Sequence, residues 1–451
     1  MPMKLHNTLA HQTEELKTLK PDEVRIYTCG PTVYDRVHLG NFRTYIFEDL
    51  LRRTLKSQGI KVNHVLNITD VDDKTIKRSR EQYPGEPPKE ALSKLTRHYE
   101  KTFLSDAKKL GIDFSTSRIA RATDHIDDMQ ILIRQIPNKY VSDDGIYFDI
   151  AKDPDYGVLV NLDRQHEHHR INNDEYDKEH VADFALWKVE TPDEPSWEFE
   201  IDGQKLRGRP GWHIECSAMS TKYLGQPFDI HTGGIDLIFP HHENEIAQSR
   251  AADHKPLANY FVHGEHLLVD GKRMAKSSKN FYTVDDLIAK GFDPLAFRLL
   301  VLQAHYRSQL NFTWDSLAAA QTYLNRLRAW ADTAKQTILP AMSDADASHL
   351  IDSVKAAAAT DLNSATALAL INEFVDKKAP TAKILDEIDK VLGLELTRRP
   401  DITDEQKNLI KQRDEARSKN DWEASDRLRN TLSQEGLDLD DTTKGSLWRR
   451  R

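Results

Sequence analysis

The chain has 451 residues, 39% hydrophobic and 30% charged, with a formal net charge of −9. That length buries a large core spread over roughly two to four domains, and no apolar run is long enough to span a bilayer as a helix. The acidic balance excludes a surface coated with basic residues while leaving room for a local basic face, and residues 1–6 carry no apolar signal region, so a cytoplasmic protein is expected.

The first third alternates strand and helix. Val24–Cys29 reads as a buried strand, and Phe42, Ile46 and Leu50 recur at helical spacing in a helix entered near His38. Lys61–Ile68 reads as the next strand, and the order strand, helix, strand predicts a parallel sheet of the dinucleotide-fold type. A Pro- and Gly-rich loop, Tyr83–Pro88, leads into a helical stretch through Leu110.

From Arg118 the character changes. Tyr140–Ile150 reads as a hairpin turned at Asp143-Asp144-Gly145. Asp153–Glu200 is acidic and turn-rich, and its His166, His168, His169 and His180 fit an exposed loop better than a metal site. This section reads as an insertion into the sheet domain. Strand character returns at Phe228–Thr232, and from Asp315 the pattern turns helical.

In that helical part Ser343–Val375 is Ala- and Leu-rich, with Ser343 or Asp344 as the expected N-cap. A small module follows Pro400. There Asn420 or Asp421 caps a helix carrying Trp422, Leu428 and Leu432, stopped at Gly436. Trp422 is expected to pack the module's core. Trp448 and the arginines Arg449-Arg450-Arg451 are expected to face unstacked bases.

The only two cysteines, Cys29 and Cys216, stand where cysteine carries chemistry. Cys29 ends the first strand. Cys216 closes Gly211-Trp212-His213-Ile214-Glu215-Cys216, and Pro240-His241-His242-Glu243-Asn244-Glu245 follows downstream. Two thiolates, one imidazole and one carboxylate fill a zinc coordination sphere. His241 and Glu245 share a helical face, as do His242 and Glu245, and Glu243 is a further candidate, so spacing does not choose among them. Position 246 is Ile, which disfavours a metalloprotease motif.

Two more segments suit a nucleotide. In Cys29–Asn41 the first strand feeds the first helix, where N–H groups face anions and Gly40 permits close backbone approach. Val269–Lys279 is a cationic small-residue loop in which Lys276 offers charge to a triphosphate.

These two segments resemble the His-Ile-Gly-His and Lys-Met-Ser-Lys-Ser signatures of class I aminoacyl-tRNA synthetases. Asn67–Lys74, Ala185–Lys188, Arg209–Ser217, Phe239–Glu245, His305–Ser308 and Asp361–Asn363 resemble the cysteinyl-tRNA synthetase family, with the likeness reaching Trp422 and Trp448. The resemblance implies an α/β fold: a Rossmann-type parallel-sheet catalytic domain with an insertion, then a helical bundle and a small C-terminal domain. The implied divisions are 1–117 and 205–258 for the two halves of the catalytic domain, with 118–204 as the connective insertion. They continue with 259–314 as a stem-contact region holding the signature loop, 315–398 as the bundle and 399–451 as an anticodon-binding module.

The resemblance further implies one zinc per chain held by Cys29, Cys216, His241 and Glu245. Gly30, Thr69, Trp212, His231 and Asp236 would line the cysteine pocket. Thr32, His38, Gly40, Asn41 and Lys276 would bind ATP, with Mg2+ accompanying it, and His38 and Lys276 would be catalytic. The implied partners are tRNA(Cys), ATP and L-cysteine, with no membrane and a monomeric enzyme. Arg273 and Ala275 depart from the Lys and Ser of the loop signature, and Ser278-Lys279-Asn280 from its usual Leu-Gly-Asn. Two other readings compete: a cysteine ligase for a sugar amine, as in mycothiol synthesis, and an RNA-binding paralogue without catalysis. The C-terminal module argues against the first, and the intact ligand set with His38 and Lys276 against the second.

Overall fold

The structure, a computed structural model, describes residues 2–160, 169–171, 182–274 and 280–450. Apolar runs flanked by turn residues build the central sheet. Its strands are parallel, in the spatial order Ala258–Gly264, Phe228–Gly234, Glu23–Thr28, Lys61–Ile68, Arg118–Arg121. Val24, Ile26, Tyr27, Val65, Leu66 and Ile68 are buried, as strands of a covered parallel sheet require. Arg118–Arg121, the start of the stretch read as an insertion, supplies the edge strand of this sheet. The strand order changes direction at Glu23–Thr28, whose neighbours come from opposite ends of the catalytic sequence. Such a switch point opens a crevice at the carboxyl ends of the strands.

The helix after the first strand runs Leu39–Ser57, with His38 as its N-cap accepting from the Asn41 N–H. Lys61–Ile68 forms the strand expected there, and the long helix spans Pro88–Lys109. Helices Trp212–Leu224 and Glu243–Asp253 carry Cys216 and Glu245. Residues Ile238–His242 form an irregular helical turn that presents both His241 and His242 before the second of these helices begins.

The insertion is more regular than its composition suggests. Strands Trp197–Ile201, Gln204–Pro210, Ala182–Val189, Gly145–Phe148 and Lys139–Val141 form an antiparallel sheet, with His169–Ile171 added beside Ala182–Val189. The turn-rich reading of Asp153–Glu200 is corrected accordingly. In Trp197–Ile201 the apolar Phe199 and Ile201 alternate with exposed Glu198 and Glu200, so the acidic residues mark one face of a strand. The core is continuous from Ile146, Phe148, Phe184 and Trp187 of the insertion to Tyr27, Cys29, Ile214, Cys216 and Ile246. His166, His168 and His180 lie outside the described residues.

The chain divides into two compact units, one of 2–291 with 306–312 and the other of 292–305 with 313–451. In the second, helices Pro294–Leu302, Trp314–Asp332, Asp344–Ala359, Ser364–Asn372 and Ala382–Leu392 precede a terminal module. Ser343 caps the third of these, accepting from the Asp346 N–H. The Ala- and Leu-rich stretch Ser343–Val375 is divided at Asp361 and Leu362, both with positive φ, before Asn363 caps the next helix.

The terminal module pairs helices Asp404–Ser418 and Trp422–Gln434 with a hairpin of Leu437–Thr442 and Gly445–Arg450. Asp421 is the cap of the second helix, accepting from the Ala424 N–H. The burial expected of the two tryptophans is reversed. Trp448, opposite Leu439 in the hairpin, is 5% exposed and packs with Ile402, Leu432, Leu437 and Leu439, whereas Trp422 is 58% exposed. Arg449 and Arg450 are not part of a free basic tail either, and Arg451 lies outside the described residues. Arg450 pairs with the buried Asp332 at 3.1 Å and Arg449 with Asp440 at 2.8 Å.

Candidate active site and metal cluster

Cys29 leaves the carboxyl end of Glu23–Thr28, and His231 sits in the adjacent strand Phe228–Gly234. Both therefore lie at the switch-point crevice. Helices Trp212–Leu224 and Glu243–Asp253 deliver the rest. The ligand atoms of Cys29, Cys216, His241 and Glu245 lie within 4.8 Å of one another, and all four residues are buried. The two sulfurs are 3.9 Å apart, as free thiols. His241 Nε2 is 3.0 Å from Glu245 Oε1, and its Nδ1 faces His213 Nδ1 at 2.9 Å. Trp212 stacks on the His241 ring with centroids 4.2 Å apart.

His242 also reaches the thiols. Its Nε2 lies 3.4 Å from Cys29 Sγ, and Cys29, His231, His242 and Glu245 form a second compact ligand group. Glu243, a candidate by spacing, is engaged elsewhere. Its carboxylate accepts from the backbone N–H groups of Gly157, Val158 and Leu159 at 2.8, 3.2 and 2.8 Å.

The electrostatics suit a cation. Burial opposes charge on Glu245, yet His231 and His241 hold its carboxyl at about 2. Burial likewise opposes the His241 imidazolium, but Glu245 and Cys216 keep it up at about 10. Burial also raises Cys216, but the hydrogen bond from Cys29 and the His241 charge outweigh it and bring the thiol down to about 6. Cys29 keeps its proton, pushed up by burial and then by Cys216. Two soft sulfurs, an imidazole and a carboxylate, buried together with net negative charge, fit zinc better than the oxygen-preferring magnesium or calcium.

Several of the residues expected to line the cysteine pocket are tied to one another and to the cluster's neighbours. Thr69 donates its hydroxyl to Glu215 at 3.0 Å and accepts from Asn67 Nδ2 at 3.2 Å. Gly30 donates its N–H to Asn67 Oδ1 at 2.7 Å, and a Cβ at Gly30 would lie 1.6 Å from the Asn67 carbonyl oxygen, so only glycine fits. Thr32 bridges to Thr69. His231 Nε2 is 2.9 Å from Glu245 Oε2. Asp236 is exposed on a short turn beside Gly234. At the nucleotide segment, a Cβ on Gly40 would come within 2.9 Å of the His38 ring, which folds back over the helix start. Asn41 is exposed there. Phe281 packs edge-on against His38 with centroids 5.1 Å apart, and the Tyr282 carbonyl accepts from Leu39 N–H. Lys276 lies outside the described residues. His213 and His263 were not singled out from the sequence as site residues. His213 lies within Gly211–Cys216, beside Cys216 in sequence, whereas His263 has no local signal.

A family model described as tRNA synthetases class I (C) catalytic domain matches residues 15–322. The chain is 39% identical to a cysteine–tRNA ligase of Brachyspira hyodysenteriae, over 99% of both chains. It is 40% identical to one of Koribacter versatilis over 100% of both, and 42% identical to cysteine–tRNA ligase 1 of Burkholderia lata over 99% of this chain and 96% of that one.

The chain belongs to the cysteine–tRNA ligase family of class I tRNA synthetases.

Solved structures of this class share its fold. Mycobacterium tuberculosis methionyl-tRNA synthetase in complex with methionyl-adenylate superposes with a TM-score of 0.55 at 15% identity, covering 83% of this chain and 89% of that one. The Agrobacterium radiobacter K84 LeuRS in a ternary complex with tRNA gives 0.56 at 11% identity, covering 85% and 83%. Both support the Rossmann-type catalytic architecture of this family member. No helix among its described residues is long and apolar enough to cross a membrane.

Proposed function

We propose that the protein activates L-cysteine with ATP, giving cysteinyl-adenylate and pyrophosphate, and transfers the cysteinyl group to the 3′ end of tRNA(Cys). One observation carries this reading: the buried convergence of Cys29, Cys216, His241 and Glu245 at the switch-point crevice, beside Thr69 and Trp212. These four residues would hold zinc. When bound, zinc supplies an acceptor for the substrate's thiolate that serine's hydroxyl cannot match near neutral pH. A specific contact that the competitor lacks supports discrimination on the order of 10⁴ without editing.

The chain's own residues do the rest. Trp212, stacked on His241, and Thr69, fixed by Glu215 and Asn67, form pocket walls that hold the amino acid. Gly30, His231 and Asp236 complete the lining. The helix starting at Leu39 presents its N-terminus to phosphate, with Thr32, His38, Gly40 and Asn41 around it. The substrate carboxylate attacks the α-phosphorus of Mg2+-ATP, and pyrophosphate leaves. His38 and Lys276 are assigned to stabilise charge on the phosphates as that bond changes. The module from residue 399 is assigned to the anticodon, with the exposed Trp422 as the base-stacking ring.

The test is aminoacylation of a tRNA(Cys) transcript by the full chain, with serine and a glucosamine-type sugar amine as controls. Charging of the transcript with cysteine alone is expected. Ligation of cysteine to the sugar amine with no charging of tRNA would overturn the assignment.

A further inference from the structure

Five histidine rings crowd the base of the crevice: His213, His231, His241, His242 and His263, all buried. A single four-residue ligand set uses one of them. Placing the others in a desolvated core carries a free-energy cost unless their nitrogens find partners, and the partners they find form a pattern. Glu245 directs its two oxygens to two histidines, Oε1 to His241 at 3.0 Å and Oε2 to His231 at 2.9 Å. Cys29 is also shared, with Cys216 Sγ at 3.9 Å on one side and His242 Nε2 at 3.4 Å on the other.

The groups flanking this shared pair are built alike. His241 turns Nε2 towards the cluster, and His213 holds its Nδ1 at 2.9 Å. His242 turns Nε2 towards Cys29, and His263 Nε2 holds its Nδ1 at 2.8 Å, with His263 Nδ1 in turn 2.7 Å from Thr8 Oγ1. A metal-binding histidine typically has its far nitrogen fixed in this way, which sets the tautomer and the ring orientation. His231 Nδ1 is buried and makes no hydrogen bond. The ligand atoms of Cys29, His231, His242 and Glu245 lie within 4.8 Å of one another, the same closeness as in the first set.

We propose that the cluster offers one zinc-class divalent ion two overlapping seats that share Cys29 and Glu245. The first is completed by Cys216 and His241, the second by His231 and His242. This rests on the reading that the cluster holds zinc. One ion is bound at a time, because an ion about 2.0–2.3 Å from its ligands in either seat occupies the Cys29–Glu245 edge that the other needs. Loss of a ligand from the first seat therefore displaces the ion into the second and does not release it. Metal retention and cysteine selection become separable properties.

The experiment loads the full chain with Co2+ and reads stoichiometry, the sulfur-to-cobalt charge-transfer band and the X-ray absorption ligand count. The wild type is expected to bind one ion with two sulfurs and one imidazole. Cys216→Ser is expected to keep one ion with one sulfur and two imidazoles, the charge-transfer band falling about twofold. His241→Gln, which keeps both thiols, is an independent arm should the first variant fail to fold. The second seat again gives one sulfur and two imidazoles, whereas an ion left in the first seat gives two sulfurs and none. Loss of cobalt from the folded variants, a ligand count that does not change to this pattern, or a second cobalt per wild-type chain would overturn the two-seat proposal. A wild type that binds no cobalt and no zinc would instead overturn the zinc reading beneath it.

Discussion

His213 and His241 face each other through their Nδ1 atoms at 2.9 Å, both buried, so one must donate and the other accept. The contact leaves His241 Nε2 directed at Glu245 and the thiols. His213 thus fixes the ring of a proposed metal ligand without touching the ion. His213→Phe is expected to weaken zinc retention by about 10- to 100-fold, read by competition against a chromophoric chelator. Unchanged retention with the ligand count still at two sulfurs and one imidazole would show that the Trp212 stack alone orients His241, whereas a shift to one sulfur and two imidazoles would place the ion in the second seat.

Proton release should accompany metal uptake. With no ion bound, burial and the neighbouring Cys216 push Cys29 up, and Glu245 and Cys216 overcome burial to keep His241 at about 10. Cys216 is drawn down to about 6 despite its burial, by Cys29 and His241. Near pH 7.5 the first two carry protons and the third does not. Both protons compete with the ion, so affinity falls as pH drops and rises with pH, less steeply once His241 titrates near 10 and only the Cys29 proton still competes. Below about pH 6 Cys216 also protonates and the fall steepens. Calorimetry in buffers of different ionisation enthalpy is expected to give about two protons released per zinc. Zero protons released at pH 7.5 would contradict this charge assignment.

Much of this site was legible in the sequence because its signals are local. An apolar run followed by Cys29-Gly30-Pro31 marks a strand end, and His38 before Leu39–Ser57 marks a helix start. The bounds of Lys61–Ile68 could be read directly. The strand Trp197–Ile201 was hidden by its glutamates, although Phe199 and Ile201 alternate with them at a period of two. The exposures of Trp422 and Trp448 could not be read locally. Trp448 is buried because the hairpin places it opposite Leu439 and over the core around Leu432. His263 owes its place to strand pairing that brings distant sequence beside His242.

The two tryptophans of the terminal module should separate stability from recognition. Trp448→Ala removes a buried ring and is expected to cost about 3–5 kcal/mol in the stability of the unit that contains it. Trp422→Ala should change stability by no more than about 0.5 kcal/mol. It should nevertheless raise KM for tRNA(Cys) while leaving cysteine-dependent pyrophosphate exchange unchanged. Equal tRNA kinetics for wild type and Trp422→Ala would remove this ring from the proposed anticodon contact.

Lys276→Ala is expected to slow adenylate formation by about 10²-fold or more and to leave cysteine binding nearly intact. A charge that assists phosphoryl transfer matters mainly in the transition state. Single-turnover adenylate formation, measured beside direct cysteine binding, separates these quantities. A large loss of cysteine affinity with an unchanged rate at saturation would contradict the role.

The central claim is that a zinc ion held by Cys29, Cys216, His241 and Glu245 selects cysteine, and it is tested most directly by ATP–pyrophosphate exchange with cysteine and with serine. The full chain would be assayed as purified with its zinc quantified, after chelation, and after zinc is restored. The account predicts about one zinc per chain and a preference for cysteine on the order of 10⁴. Cysteine-dependent exchange should collapse on chelation and return with zinc. Full exchange and undiminished preference in the zinc-free protein would contradict it.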